Sequence, residues 1–141
     1  MSRVLGIDYG SVRIGVAISD PMGLFARGIR TIPNKQGALP QIIEELLDLI
    51  KLQEVSEIVV GLPRRTDGKV SESEIAAREF GTTLQAAAGL PLTYFDERFT
   101  TVIAHQILNA SAKKRNSQAK RQVVDQIAAE IILQNYLDSR R

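Results

Sequence analysis

Between Pro33 and Leu39 the apolar pattern of the chain changes period, and few folds accommodate such a change. Before it come three short runs rich in Ile and Val: Val4–Tyr9, Arg13–Ser19 and Phe25–Ile32. Only turn sequences separate them, Gly10-Ser11 and Asp20-Pro21-Met22-Gly23. They therefore predict three strands in an antiparallel meander. After the change, Leu39, Ile42, Ile43, Leu46, Leu47 and Ile50 recur at helical spacing, with Pro40 tolerated in the first turn. Ile58-Val59-Val60 reads as a central strand covered on both faces, ended by Gly61-Leu62-Pro63. A polar loop from Arg64 to Lys69 leads to a helix over Ser71–Ala88, and Pro91–Phe95 reads as another strand. Thr100 or Thr101 can cap a helix running to Asn109, and a last helix runs from Gln118 to Leu137 after a basic loop. Three hairpin strands followed by βαβ crossovers predict an α/β fold, one mixed sheet with helices on its faces.

Composition narrows the function classes. The 141 residues fit one domain spanning residues 1–141, and 44% hydrophobic with 24% charged residues excludes a disordered or fibrous chain. There is no cysteine and one histidine, so disulfides, thiolate chemistry and Cys- or two-His-ligated zinc are excluded. No apolar run approaches the ~18 residues of a membrane span. Asp8 interrupts the apolar start too early for a signal peptide. The expected location is the cytoplasm.

Three acidic positions stand out by placement. Asp8 ends the first strand, and ligand sites in open α/β sheets lie beyond the carboxyl ends of strands. Asp96-Glu97-Arg98 follows the Leu92–Phe95 run and emerges at the same edge if that strand is parallel to the first. Asp125 lies inside the apolar face formed by Val124, Ile127, Ala128, Ala129, Ile131, Ile132 and Tyr136. A carboxylate buried there needs a partner: an Arg, a polar network or a metal ion. With no Cys and one His, these acids suit a hard cation bound through oxygen, Mg²⁺ or Mn²⁺. Two such ions held by strand-end and helix carboxylates can align water with a phosphodiester. His105, among Ile103, Ala104, Ile107 and Leu108, reads as a partly buried core histidine.

The charge is unevenly distributed. Arg98, Lys113, Lys114, Arg115, Lys120 and Arg121 fall in a stretch, residues 98–124, with no Asp or Glu. The net charge of +2 therefore divides into +6 for that stretch and −4 for the rest. A nucleic-acid backbone is the natural partner of such a tract. Arg64, Arg65 and Lys69 form a second basic cluster beyond the Ile58–Val60 strand. Seven aromatic residues are too few for a base-stacking platform.

Together these segments resemble the YqgF family of bacterial proteins, also called RuvX. The motifs are Gly6-Ile7-Asp8-Tyr9-Gly10 with Arg13–Ala17 and Ser19-Asp20, Val60–Pro63 with Asp67-Gly68, Asp96-Glu97-Arg98 with Thr100-Thr101, and Asp125 with Ala128-Ala129 and Ile132-Leu133. The resemblance spans nearly the whole chain. It implies a ribonuclease-H-like fold with a five-stranded sheet in the order 3-2-1-4-5. It also implies a nuclease that matures the 5′ end of precursor 16S ribosomal RNA during ribosome biogenesis, with a link to branched DNA. The family's first aspartate carries over to Asp8, its acidic strand-end motif to Asp96 and Glu97, and its last-helix aspartate to Asp125. The motif does not decide which of Asp96 and Glu97 faces a metal. The loop Lys69–Ser73 lacks the Gly-Pro-Gln-like segment common in the family.

The expectation is a Mg²⁺- or Mn²⁺-dependent hydrolase in which Asp8 bridges two ions, and Glu97 (or Asp96) and Asp125 hold one each. Arg98, Arg64, Arg65 and the Lys113–Arg121 tract would hold backbone phosphates. Two rivals share these features. An actin- or sugar-kinase-like ATP-binding domain has the same strand–Asp–Gly-turn–strand opening. A non-catalytic nucleic-acid-binding module would use only the basic tract. Monomer and homodimer are both compatible with the sequence.

Overall fold

The computed structural model describes residues 2–99 and 117–140. Five strands form one sheet, β1 (Arg3–Tyr9), β2 (Arg13–Ser19), β3 (Ala26–Pro33), β4 (Val55–Leu62) and β5 (Leu92–Asp96), in the order β3-β2-β1-β4-β5. The first three form the antiparallel meander, and β1, β4 and β5 run parallel. The carboxyl ends of β1, β4 and β5 therefore share one edge, and Asp8, Pro63 and Glu97 sit along it. Among the described residues α1 (Leu39–Leu52) links β3 to β4, α2 (Glu72–Ala88) links β4 to β5, α3 (Ser117–Ser139) comes last, and a 3₁₀ turn covers Glu97–Phe99. The helix expected over residues 100–109, with His105, lies outside the described residues.

The strands differ from expectation by a residue at several ends, and at β3 and β4 the reasons are identifiable. β3 begins at Ala26 because the Phe25 N–H is taken by the turn. The Asp20 carboxylate accepts from the N–H groups of Met22, Leu24 and Phe25 at 3.1, 2.8 and 2.7 Å, and Gly23 supplies φ +70°. β4 runs beyond Ile58–Val60 to buried Val55 and Leu62, because Glu57 and Gly61, which interrupt the apolar run, are accommodated by α3. Glu57 accepts from Tyr136 Oη and Arg140 Nη1, each at 2.6 Å, and Gly61 lies under Ile132.

The two sheet faces are covered differently. Leu5, Ile7, Ile14, Val16, Ile58 and Val60 pack with Ile42, Ile43, Leu46 and Leu49 of α1 and Phe80 and Leu84 of α2. Ser71 caps α2 by accepting from the Glu74 N–H at 3.1 Å, and Gly89 ends the helix at φ +68°. On the other face α3 packs on Val4, Ala17 and Val59, and glycines beside them let it approach the sheet closely. A Cβ at Gly6 would stand 2.7 Å from Leu133 Cβ. At Gly28 it would stand 2.7 Å from the Gln126 carbonyl oxygen. A Cβ at Gly15 would collide with the Asp125 carbonyl. Glycine at these positions lets helix backbone touch sheet backbone. Gln134 and Glu130 of α3 also accept the β3 N–H groups of Ala26 and Gly28, at 2.8 and 3.1 Å. No helix among the described residues is long and apolar enough to cross a membrane.

Candidate active site

Strand alternation decides which acid faces which. Val4 and Gly6 of β1 contact α3, so Asp8, two residues on, points to the same face. Phe95 of β5 also packs on the α3 side, and Glu97 follows it by two. The Glu97 Cγ lies 3.3 Å from where a Gly61 Cβ would stand. Glu97 and Asp8 are thereby brought together and their carboxyls hydrogen-bond to each other. Asp96 is not part of this pair. Its carboxylate accepts from Arg98 Nε and Nη2 at 2.9 and 2.7 Å and from the Arg98 N–H at 2.9 Å.

The electrostatics follow from that geometry. Burial raises Asp8 to about 6; the Glu97 hydrogen bond opposes this rise and the nearby Asp125 charge adds to it. Burial first, and then the Asp8 and Asp96 charges, push Glu97 up to about 8. Two carboxyls this close cannot both ionise freely, so near neutrality the pair holds one proton and Glu97 donates it to Asp8. Asp96 is held below the usual carboxylate range by the Arg98 guanidinium.

Asp125 is carried to the same place by α3. Its backbone lies over Gly15, the register partner of Asp8 across the β1–β2 ladder. The partner that its apolar surroundings demand is Arg13, whose Nε donates to Oδ2 at 2.5 Å. Arg13 precedes Gly15 by two and so points to the α3 face. Among the described residues no group of three or more His, Asp or Glu side chains is placed to hold a metal ion. The structure thus brings together a carboxyl pair, Asp8–Glu97, with Asp125 beside it on an arginine. Arg13 was overlooked as a partner in the sequence. Its signal was present in the β1–β2 hairpin register, which sets it on the face that receives Asp125.

Basic residues border the pair. Arg64, Arg65 and Arg98 line an open recess of about 470 Å³ that reaches Glu97. Arg98 Nη1 donates to the Arg65 carbonyl at 3.4 Å, and Arg65 Nη2 to Asp67 at 2.6 Å. The buried Glu74, a second residue the sequence did not single out, sits between Arg64 at 3.9 Å and Arg78 at 3.1 Å. The Ser71-x-x-Glu74 capping pattern was its only signal. Lys113, Lys114 and Arg115 lie outside the described residues. Lys120 and Arg121 belong to the first turns of α3.

Known proteins agree with this architecture. A family model described as RuvX, Holliday junction resolvase, matches residues 2–139. A protein of Moorella thermoacetica named "Putative pre-16S rRNA nuclease" is 44% identical over 136 residues, 96% of this chain and 94% of its own. One of Bacteroides fragilis with the same name is 38% identical over 100% of this chain and 99% of its own. Among solved structures, Thermus thermophilus RuvC bound to a Holliday junction substrate superposes with TM-score 0.57 at 14% identity, over 99% of this chain and 96% of its own. The yeast mitochondrial Holliday junction resolvase Ydc2 gives 0.56 at 13% identity, over 96% and 78%. Those two likenesses establish the fold as ribonuclease-H-like, and the full-length family match with close relatives establishes that the chain belongs to the RuvX family.

Proposed function

We propose that the whole chain is one nuclease domain that hydrolyses phosphodiester bonds in structured nucleic acid with the help of divalent cations. Precursor 16S rRNA is the substrate to which its relatives' names point. The observation that carries this reading is the Asp8–Glu97 pair, at the carboxyl edge of three parallel strands and beside Arg64, Arg65 and Arg98. A non-catalytic binding module gives no reason for two carboxyls to be pressed together at that edge, and the family match over residues 2–139 supports the nuclease over the nucleotide-binding reading.

The donor set fits Mg²⁺ or Mn²⁺. It is all oxygen, and a cation would offset the burial that raises both carboxyls, together with the Asp125 charge felt by Asp8 and the Asp8 charge felt by Glu97. Asp8 and Glu97 would hold the ion, joined by Asp125 once it leaves Arg13. When bound, such ions stabilise charge on the phosphate and make water a better nucleophile. The chain's own residues do the rest. Glu97 must give up the proton it shares with Asp8 before the pair can act as ligands. Arg13, released from Asp125, becomes a free cation beside the reacting phosphate. Arg64, Arg65 and Arg98 anchor phosphates on the Glu97 side, and Asp96 fixes the direction of Arg98.

The test is Asp8→Asn, assayed with Mg²⁺ on paired RNA and four-way DNA side by side. The variant should lose cleavage, by at least about a thousandfold, yet keep nucleic-acid binding. Undiminished cleavage by the purified variant sinks the assignment. The family's description as a Holliday junction resolvase supports a second substrate reading. Faster cutting of the DNA junction, by a dimer carrying two sites, would favour it.

A further inference from the structure

The cavity that holds the acid pair is larger than the pair needs. It encloses about 460 Å³, within the roughly 300–1,000 Å³ typical of sites that take small organic ligands. Asp8 and Glu97 line one part of it, and its polar remainder is formed by Ser11, Asn34, Lys35 and Gln36. Tyr9, Pro63 and Ala76 supply its apolar lining. Tyr9 is braced from behind by Phe80, with ring centroids 4.6 Å apart.

The polar part is built and held in place. The Asn34 N–H donates to the Val12 carbonyl at 2.8 Å and its Nδ2 to the Gly10 carbonyl at 2.7 Å. The Gly10 N–H donates to the Arg13 carbonyl at 3.0 Å. The loop carrying Lys35 is thereby stapled to the turn that begins two residues after Asp8. Exposed Lys35 has no carboxylate partner among the described residues, whereas Arg64, Arg65 and Arg98 each have one. The two recesses meet at Glu97, and Pro63 and Ser73 line both. A phosphate at the acid pair would therefore have a recess on either side of it.

We propose that the cavity between the acid pair and Lys35 receives one unpaired nucleotide flanking the bond to be cut, its base against Tyr9, Pro63 and Ala76 and its outer phosphate on Lys35. The proposal deepens the nuclease reading and rests on it. It names a substrate class: a strand single-stranded at the cut, in a loop, a bulge, an end or an opened junction arm. A base still stacked in a duplex cannot enter a concave recess, and enzymes that need the base there must extrude it.

The experiment uses the full chain with Mg²⁺ and a labelled 30-nucleotide strand, made as RNA and as DNA. Each is cut alone and after annealing a complement across the mapped cut. Pairing should lower kcat/KM by about tenfold or more, because unstacking and unpairing must come first. On the open strand Lys35→Ala should raise KM about tenfold with kcat nearly unchanged, the loss of one charge-assisted phosphate contact. Lys35→Arg should restore KM. Whichever strand the wild type cuts gives the sugar preference. If wild type cuts paired and open strands alike, or Lys35→Ala leaves KM unchanged, the nucleotide subsite is refuted and the nuclease reading stands. If wild type cuts nothing, the nuclease reading fails and takes the subsite with it.

Discussion

Replacing Glu97 by Gln removes one ionisable carboxyl from the pair and keeps its size. The folded-state values of Asp8 and Glu97 lie near 6 and 8, above their ordinary 3.8 and 4.5. Protonation therefore favours the fold. That contribution is complete below about pH 4 and is lost as the pH rises through about 6 and then about 8. Each pH unit of separation corresponds to ~1.4 kcal/mol, so ionising Glu97 beside Asp8 opposes folding by several kcal/mol at the limit. Solvent reaching the partly exposed Glu97 reduces this to about 2 kcal/mol. For a chain of this size that is roughly 5–10 °C in Tm. In thermal melts with EDTA from pH 5 to 9, wild type should lose Tm in two steps. Glu97→Gln should keep the lower step and lack the upper one, and so melt higher than wild type at pH 9. Added Mn²⁺ should raise the wild-type Tm more at pH 8 than at pH 6, because cation and proton compete for the same oxygens. Parallel Tm–pH curves for the two proteins between pH 7 and 9 would show that the carboxyls do not share a proton, and the account of the site would fail with them.

Two further outcomes are accessible. Gly15→Ala pushes a methyl into the Asp125 carbonyl, so denaturant melts should show a loss of about 1–3 kcal/mol, and cleavage should fall further than stability does because Asp125 is displaced; an unaffected variant would refute the close seating of α3. Arg64→Ala leaves Glu74 with Arg78, so the fold should survive. The slope of log Kd for RNA against log salt should decrease by about one, read by fluorescence anisotropy; an unchanged slope removes Arg64 from the phosphate path.

The meander and the shared edge of the acids were legible because each rests on a local signal, whereas the sheet order came from the family resemblance and not from the pattern. Asp8 and Glu97 end their strands, and the period change at Leu39 separates hairpins from crossovers. The choice between Asp96 and Glu97 was open in the sequence only because the end of β5 was not fixed. Once Phe95 faces α3, alternation selects Glu97. The Arg13–Asp125 pair was less accessible, since 112 residues separate its members. Asp125's place on an apolar face announced a partner without naming it. Local pattern likewise cut β4 short at Glu57, an internal position of the strand that is satisfied by the far end of α3. The Lys35 loop carries no motif, and only hydrogen bonds to the β1–β2 turn place it near Asp8.

The contact of Asp125's backbone with Gly15 has a kinetic consequence. Helix and sheet meet there without intervening side chains, so α3 cannot slide to deliver its carboxylate without lifting off the floor it rests on. Any approach of Asp125 to Asp8 must be a rotation about its own side-chain bonds, with one ion pair exchanged for another set of contacts. Side-chain rotations belong to the fast end of protein motion and helix shifts to the microsecond-to-millisecond range. If Asp125 joins the proposed cation site, its movement would belong to that fast range and would not require α3 to shift.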